Sequence, residues 1–441
     1  MARTPSLGTV STKQARIAEL AKQAPSLSFT TLAHHIDERW LFEAFQRTRR
    51  DGATGVDGQT SADYAAELRE NLRSLLDRAK SGTYRASPVR RVHIPKGTGT
   101  ETRPIGIPTF EDKVLQRAVA MVLEPIYEQD FRDCSYGFRP GRSAHQALES
   151  LWRQLMTMGG GWVVEVDIQK FFDTLDHARL REFLQRRVRD GVLLRLIGKW
   201  LKAGVLEGAV WTTPDRGTPQ GGVISPLLAN VYLHYVLDEW FAREVQPRLA
   251  GRSFLIRYAD DFVMVFRHEA DARRVLEVLP KRFAKYGLTL HPTKTRLVPF
   301  TRPSYPPDSD DGGPKPGTFD LLGFTHVWGR TRRGGWAVQR RTSSSRFSRA
   351  VTTIAQWCRR HRHLPVADQH AALSQKLRGH DAYYGMTGNY RALSRLRYVV
   401  GRVWRKWLAR RRAAPLPWTA FGRLVQHYVL PPPRVVHSAL A

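Results

Sequence analysis

The chain is short of three things. Its 441 residues include only two cysteines, Cys134 and Cys358, only 40 acids against 70 Lys and Arg, and no apolar run approaching 18 residues. Two distant cysteines exclude a disulfide framework and a four-cysteine zinc site. Without a long apolar stretch a membrane span is not expected, and the start, MARTPSLGTVSTKQARIAEL, lacks the apolar centre of a signal peptide. A reducing, intracellular setting is what these absences leave. With 42% hydrophobic and 25% charged residues, the composition excludes disorder throughout. The length suits about three units of roughly 150 residues.

What is present in excess is positive charge, +30 in all, and it is unevenly placed. Residues 321–441 hold 23 Lys and Arg but only two acids, Asp368 and Asp381, a net of +21 that leaves +9 for everything before. Six of the twelve tryptophans (Trp328, Trp336, Trp357, Trp404, Trp407 and Trp418) share that region. Cations interleaved with aromatics suit a phosphate backbone carrying unpaired bases, although a solvated basic surface over an aromatic core has the same composition. Arg makes up 56 of the 70 cations, the side chain suited to bidentate phosphate contact.

Periodicity then divides the chain. Residues 1–29 are polar and expected to be a frayed, flexible start. A helix is predicted from Thr30 with Leu32, Ile36, Trp40 and Phe45 on one side, and a second in SADYAAELRENLRSLLDRAKSG, stopping at Gly82. VRRVHIPKGTGTETRPIGIP reads as a hairpin, followed by helices over about 112–129 and 144–156. GWVVEVDIQKFFD is strand-like through Val166, and FLIRYADDFVMVF is strand, polar turn, strand. Residues 301–317 hold five Pro and three Gly, a loop insertion; after it, residues 340–410 carry mostly helical patterns. Strands flanked by separate helical blocks predict an α+β architecture rather than repeating βαβ units.

Adjacent acids between two apolar strands are costly to bury unless something positive meets them. Asp260 and Asp261 stand at such a turn, and Asp167 ends the apolar run WVVEV in the same manner. Three carboxylates at strand ends offer the hard oxygen ligands that a pair of Mg²⁺ ions takes, Mn²⁺ being the other candidate. An Asp-rich exposed turn is the ordinary alternative for an aromatic-x-Asp-Asp string.

The context narrows that choice. Asp167–Asp173 (DIQKFFD), Thr218–Pro226 (TPQGGVISP) and Tyr258–Asp261 (YADD) resemble the ordered motifs of reverse transcriptases. With GATGVDG (52–58), PKGTGTETRPIGIPTFEDKVLQRAV (95–119), YGFRPGRSAHQAL (136–148), LLGF (321–324), LRGHDAYYGMTGNYRALSRL (377–396) and the PRVVHS tail, the chain resembles a group II intron-encoded reverse transcriptase/maturase from about residue 30 onward. The resemblance implies a right-hand polymerase. Fingers and palm with an antiparallel palm sheet would occupy 30–330, the N-terminal extension covering 30–85 and the insertion 301–317. A basic helical thumb/maturase domain would occupy 331–441, with no endonuclease domain.

Residue by residue, the resemblance puts Asp167, Ile168, Asp260 and Asp261 at the metals. Lys96, Arg103, Phe171, Phe172, Gln220 and Lys294 fall at the dNTP, with Phe172 as a sugar gate excluding the 2′-hydroxyl and Lys294 beside the departing pyrophosphate. One of Phe171 and Phe172 must be a core residue. Arg139, Arg142 and Gly323 fall at the template and primer. Implied partners are an intron RNA template, a DNA primer or target and dNTPs, with no membrane and an undetermined oligomeric state. The implied setting is the cytoplasm, at the nucleoid when acting on DNA. Two other readings remain at this point. One is a reverse transcriptase recruited to phage defence, CRISPR spacer acquisition or diversity generation; the other is a splicing factor that binds RNA without polymerising. VGRVWRKWLARRR fits both a packing helix and an RNA-binding face.

Overall fold

The computed structural model describes residues 9–95, 102–207, 210–212, 217, 221–303, 316–331, 333–411 and 416–437. At its centre is an antiparallel sheet with strands in the order Ser253–Tyr258, Asp261–Phe266, Gly160–Val166, Arg296–Thr301. Alternate side chains of a strand leave opposite faces, and both faces here are covered. Val164, Val166, Leu255, Phe262, Met264 and Phe266 enter one core; Val163, Phe254, Ile256, Val263, Val265 and Phe300 enter a second. Burial on both sides is why FLIRYADDFVMVF reads as almost continuously apolar.

The first core is filled by helix Phe110–Asp130, buried along most of its length, and by the N-terminal helices. Trp40, on helix Glu38–Arg47, donates its indole N–H to the Ala118 carbonyl at 2.9 Å. The second core lies under helix Ala144–Met158, which starts in a capping box between Ser143 and Gln146. Its other wall is a three-stranded antiparallel sheet of Phe319–Leu321, Phe324–Arg330 and Trp336–Thr342. Strands Val89–Pro95 and Thr102–Ile107 form the expected antiparallel hairpin, extended by Val205–Glu207 and Val210–Thr212.

Helices Ser344–Arg360, Val366–Tyr384, Tyr390–Ala409 and Trp418–His427 form a separate bundle around Ile354, Leu373, Leu396, Trp404 and Phe421. Its arginines lie outward, several over aromatic rings: the Arg405 guanidinium is 3.8 Å from the centre of the Trp418 ring. VGRVWRKWLARRR thus packs through Trp404 and Leu408 and presents cations on its other side. Among the described residues no helix is long and apolar enough to cross a membrane.

Three boundaries differ from expectation. The polar N-terminus is helical over Val10–Gln23, capped by Thr9, with Ile17 and Ala21 buried. Its end is held by Arg187, which donates to the carbonyls of Ala21, Ala24, Pro25 and Leu27. Only those tertiary partners make the segment ordered. The division expected at residues 330–331 falls inside a hairpin, since Arg330 pairs with Trp336; the helical unit begins at Ser344 instead. The predicted helix 61–82 is two helices, Ser61–Ala66 and Leu68–Ser81, ending on Gly82 in the left-handed region.

Candidate active site

Strands Ser253–Tyr258 and Asp261–Phe266 pair with Tyr258 opposite Asp261, which leaves Ala259 and Asp260 to make the turn. Ala259 takes it with φ +56°, a left-handed conformation that costs a Cβ-bearing residue free energy. On the other flank Val166 pairs with Phe262, so Asp167 emerges from the sheet beside Asp261. The chain past Asp167 is pinned: its carbonyl accepts from His291 N at 2.8 Å, and Gln169 N donates to the Thr289 carbonyl at 2.8 Å. Ile168, buried, bridges to Leu290. Four non-glycine residues among those described have positive φ: Phe138, Lys170, Ala259 and Leu322. All four lie in segments the sequence singled out, which is where backbone strain is expected to collect.

The electrostatics follow from crowding like charges at one sheet end. Loss of hydration lifts the Asp260 carboxyl above the ordinary carboxylate range, Asp167 adding to the effect while Arg103 and Arg257 oppose it. Asp261 keeps exposed surface, yet protein packed around its carboxyl pushes it up to about 6, with the charges of Asp260 and then Asp167 contributing. Arg346, at the start of the helical bundle, and Arg103 work against that rise. Three hard oxygen donors at one sheet end, with the charge of Asp167 raising the pKa of both Asp260 and Asp261, suit a divalent cation. They are not drawn into a closed cage: among the described residues no group of three His, Cys, Asp or Glu is gathered closely enough to hold a metal ion. Asp167 Oδ2 is instead bound by Lys294 Nζ at 2.9 Å. Lys294 had been expected beside the pyrophosphate; here it neutralises one of the three carboxylates.

The residues expected at the dNTP come next. Phe171 is buried, its ring 5.3 Å from Phe172 and edge-on to it, while Phe172 is only half-buried, so Phe171 is the core member of the pair. Arg103 is exposed on Thr102–Ile107, opposite Ile94, and its charge acts on both Asp260 and Asp261. Lys96 and Gln220 lie outside the described residues. Next to Gln220, Gly221 has φ +118°, and a Cβ there would lie 2.5 Å from the Gly106 carbonyl oxygen; only glycine allows that loop to press on the hairpin. Gln116, buried in helix Phe110–Asp130, accepts from Val223 N at 2.8 Å and anchors the same loop.

The structure separates two contacts expected at the template. Arg139 is buried and corrected by its surroundings: Nε and Nη2 donate to Glu128, and Nη1 donates to the Arg132 and Ser135 carbonyls. Its donors are committed internally, so it braces the loop instead of meeting a template. Arg142, paired with Asp133 at 2.7 Å and lying over the Tyr136 ring, keeps part of its surface open. Gly323 makes the turn between Phe319–Leu321 and Phe324–Arg330 with φ +81°, and its carbonyl accepts from Ser343 N. The sequence reading missed Gln116, Arg346 and Arg257. For Arg257 there was a signal, a lone cation within the apolar run FLIRY.

Residues 94–326 match the family model described as reverse transcriptase (RNA-dependent DNA polymerase). Protein YkfC of Escherichia coli is 38% identical over 292 residues, covering 58% of this chain and 76% of that protein. The group II intron-encoded protein LtrA of Lactococcus lactis is 47% identical over 165 residues, 37% of this chain and 27% of LtrA. Nuclear intron maturase 1 of Arabidopsis thaliana is 28% identical over 196 residues, 40% of this chain and 27% of that protein. The chain thus spans about a quarter of the two intron-related proteins. With the acid turn inside the matched region, the chain belongs to the reverse transcriptases, described as RNA-dependent DNA polymerases.

Proposed function

We propose that this protein copies intron RNA into DNA by two-metal nucleotidyl transfer, that it assists splicing of that RNA as a maturase, and that the two activities together support retrohoming. The observation that carries the polymerase reading is the meeting of Asp167, Asp260 and Asp261 at one sheet end, where Asp167 raises the cost of charge on both of the others. Asp260 and Asp261, with Asp167 once released from Lys294, would hold two Mg²⁺ ions, Mn²⁺ serving in their place. Such ions activate a primer 3′-hydroxyl and neutralise departing pyrophosphate.

The rest falls to the protein's own groups. Arg103 offers a cation to the triphosphate on the side away from the sheet, a charge that counts most as the leaving group forms. Phe172, half-buried on the Phe171 ring, would exclude a ribose 2′-hydroxyl by its bulk. Lys294, 2.9 Å from Asp167, would serve as proton donor to the leaving phosphate. In this reading the hairpin Val89–Ile107 belongs to the fingers, the central sheet is the palm, and the bundle from Ser344 is the thumb. The thumb's exposed arginines and aromatic rings suit a phosphate backbone with unpaired bases. The setting is the cytoplasm, and the nucleoid during attack on a DNA target.

The test replaces Asp260 and Asp261 together by Ala. RNA-templated primer extension is expected to fall by at least about 10³-fold, as for removal of groups that stabilise transition-state charge, while affinity for RNA stays within about twofold. Extension at the wild-type rate would overturn the assignment. Lost RNA binding would place the acids in the RNA surface, and the splicing-factor reading would then stand alone.

A further inference from the structure

Arg257 is fully buried, and so is the carboxylate it pairs with. Its guanidinium donates from Nε to Asp238 Oδ1 at 2.8 Å and from Nη2 to Asp238 Oδ2 at 2.5 Å. Nη1 donates to Asn230 Oδ1 at 2.9 Å and to the Ala259 carbonyl at 3.0 Å. That carbonyl belongs to the left-handed residue of the acid turn. The backbone of Arg257 is equally committed: its N–H donates to the Cys134 carbonyl at 2.8 Å, and its carbonyl accepts from Tyr136 N at 2.9 Å.

The surroundings close around the same point. Asn230 Nδ2 donates to the Gly137 carbonyl at 2.7 Å. Gly137 lies so near the turn that a Cβ on it would collide with Ala259 N and sit 2.9 Å from the Tyr258 carbonyl carbon. The helix that starts at Ser225 and supplies Asn230 and Asp238 widens into π turns over His234–Asp238 and again over Phe241–Val245. Such widening is uncommon and tends to sit at functional sites, where it re-aims a side chain. Here it ends on Asp238 itself.

A buried ion pair of this kind is a poor way to gain stability, since desolvation offsets most of the attraction and apolar replacements are often better. What the fork does well is fix a direction. Its fourth bond reaches the turn that carries Asp260, and a conformation as unfavourable as that of Ala259 persists only when its neighbours over-determine it. We infer that Arg257, held by Asp238 and Asn230, is a positioning residue that locks the Ala259–Asp260 turn and so sets the carboxylates of Asp260 and Asp261 for divalent cations. This rests on the reading that those two acids hold the metals.

The experiment uses the full-length protein carrying Arg257→Lys or, separately, Asn230→Ala. Arg257→Lys keeps a cation opposite Asp238 but loses the fork to Asn230 and Ala259. Asn230→Ala keeps the ion pair and removes one bond to Arg257 and one to Gly137. Primer extension is followed as a function of Mg²⁺, alongside dNTP KM, primer–template affinity and thermal unfolding. In Arg257→Lys the half-saturating Mg²⁺ should rise, and kcat at fixed Mg²⁺ fall, by about 10–100-fold, the usual cost of losing a group that orients a metal ligand. KM for dNTP and primer–template affinity should stay within about twofold, and added Mg²⁺ should recover part of the rate. Asn230→Ala should show the same pattern at the low end of that range.

A merely structural role would lower the unfolding temperature and leave the Mg²⁺ curve of the folded fraction where it was; that result overturns the inference. If Arg257→Lys fails to fold, the Mg²⁺ curve of Asn230→Ala decides. Asp260→Ala, run beside them, separates the two possible failures. If it still extends primers, the metal assignment itself is wrong. If it is inactive while Asn230→Ala has the wild-type Mg²⁺ response, only the role of Arg257 falls.

Discussion

The central sheet and the C-terminal helical bundle use charge in opposite ways. At the turn end of the sheet the charges are few and acidic, and they are met by partners distant in sequence: Lys294 on Asp167, and Arg103 and Arg346 acting on Asp261. In the bundle they are many and basic, spread over an outer face with aromatic rings beneath, and the core beneath that is apolar. Crowded charges of one sign create a place for a small, dense counter-ion. Dispersed ones create a surface for a long polyanion. Each region should therefore answer to a different perturbation.

The sharpest contrast after loss of the acids themselves should come from Phe172. Phe172→Ala should reduce discrimination against ribonucleotides by about 10–100-fold, the scale on which a steric clash separates substrates. Single-nucleotide incorporation of dNTP against rNTP measures it. Unchanged selectivity would return Phe172 to the core alongside Phe171. In the bundle, no one arginine should matter so much. Arg402→Ala or Arg405→Ala should weaken RNA binding only several-fold at about 0.1 M salt and lower the slope of log K against log salt by about 1 each. Filter binding at three or four salt concentrations reads this, and an unaltered slope would mean the residue faces no phosphate.

The smallest effect is a pH shift. Asp261, lifted to about 6, binds its proton more tightly folded than unfolded. By linkage its contribution favours folding at acid pH and is lost as pH rises from the ordinary carboxylate range through about 6. Activity should run the other way, because in the proposed reaction the ionised form would hold the metal. At low Mg²⁺ the acid limb of the extension rate should lie near pH 6, and raising Mg²⁺ about tenfold should move it down by up to about one unit as cation displaces proton. A limb that ignores Mg²⁺ would detach Asp261 from the metal. Neither manipulation should move the bundle, whose arginines stay charged throughout.

The two regions also differed in how much of them the sequence disclosed. The acid turn was legible because apolar strands on either side of Asp260 and Asp261 admit few other structures, and the helices from Ser344 announced themselves by periodicity. Side chains whose role depends on a distant partner were not. Arg139, in the exposed-looking YGFRPGRS, turns inward because Glu128 and two carbonyls await it. Lys294 meets Asp167 across the sheet end, a meeting fixed by the pairing of Ile168 with Leu290 rather than by any local pattern. The helix Val10–Gln23 is polar enough to look frayed until Arg187 collects its last carbonyls.

The double-sided sheet carries one more consequence. Because Leu255 and Ile256 serve different cores, removing a single residue from Ser253–Tyr258 would exchange every later side chain between interiors that differ in shape and rotate the acid turn to the far face. Length in this hairpin is as constrained as chemistry. Lineages of this protein should gain and lose residues freely in the Pro- and Gly-rich stretch 301–317 and almost never, one at a time, in the strands beside Asp260.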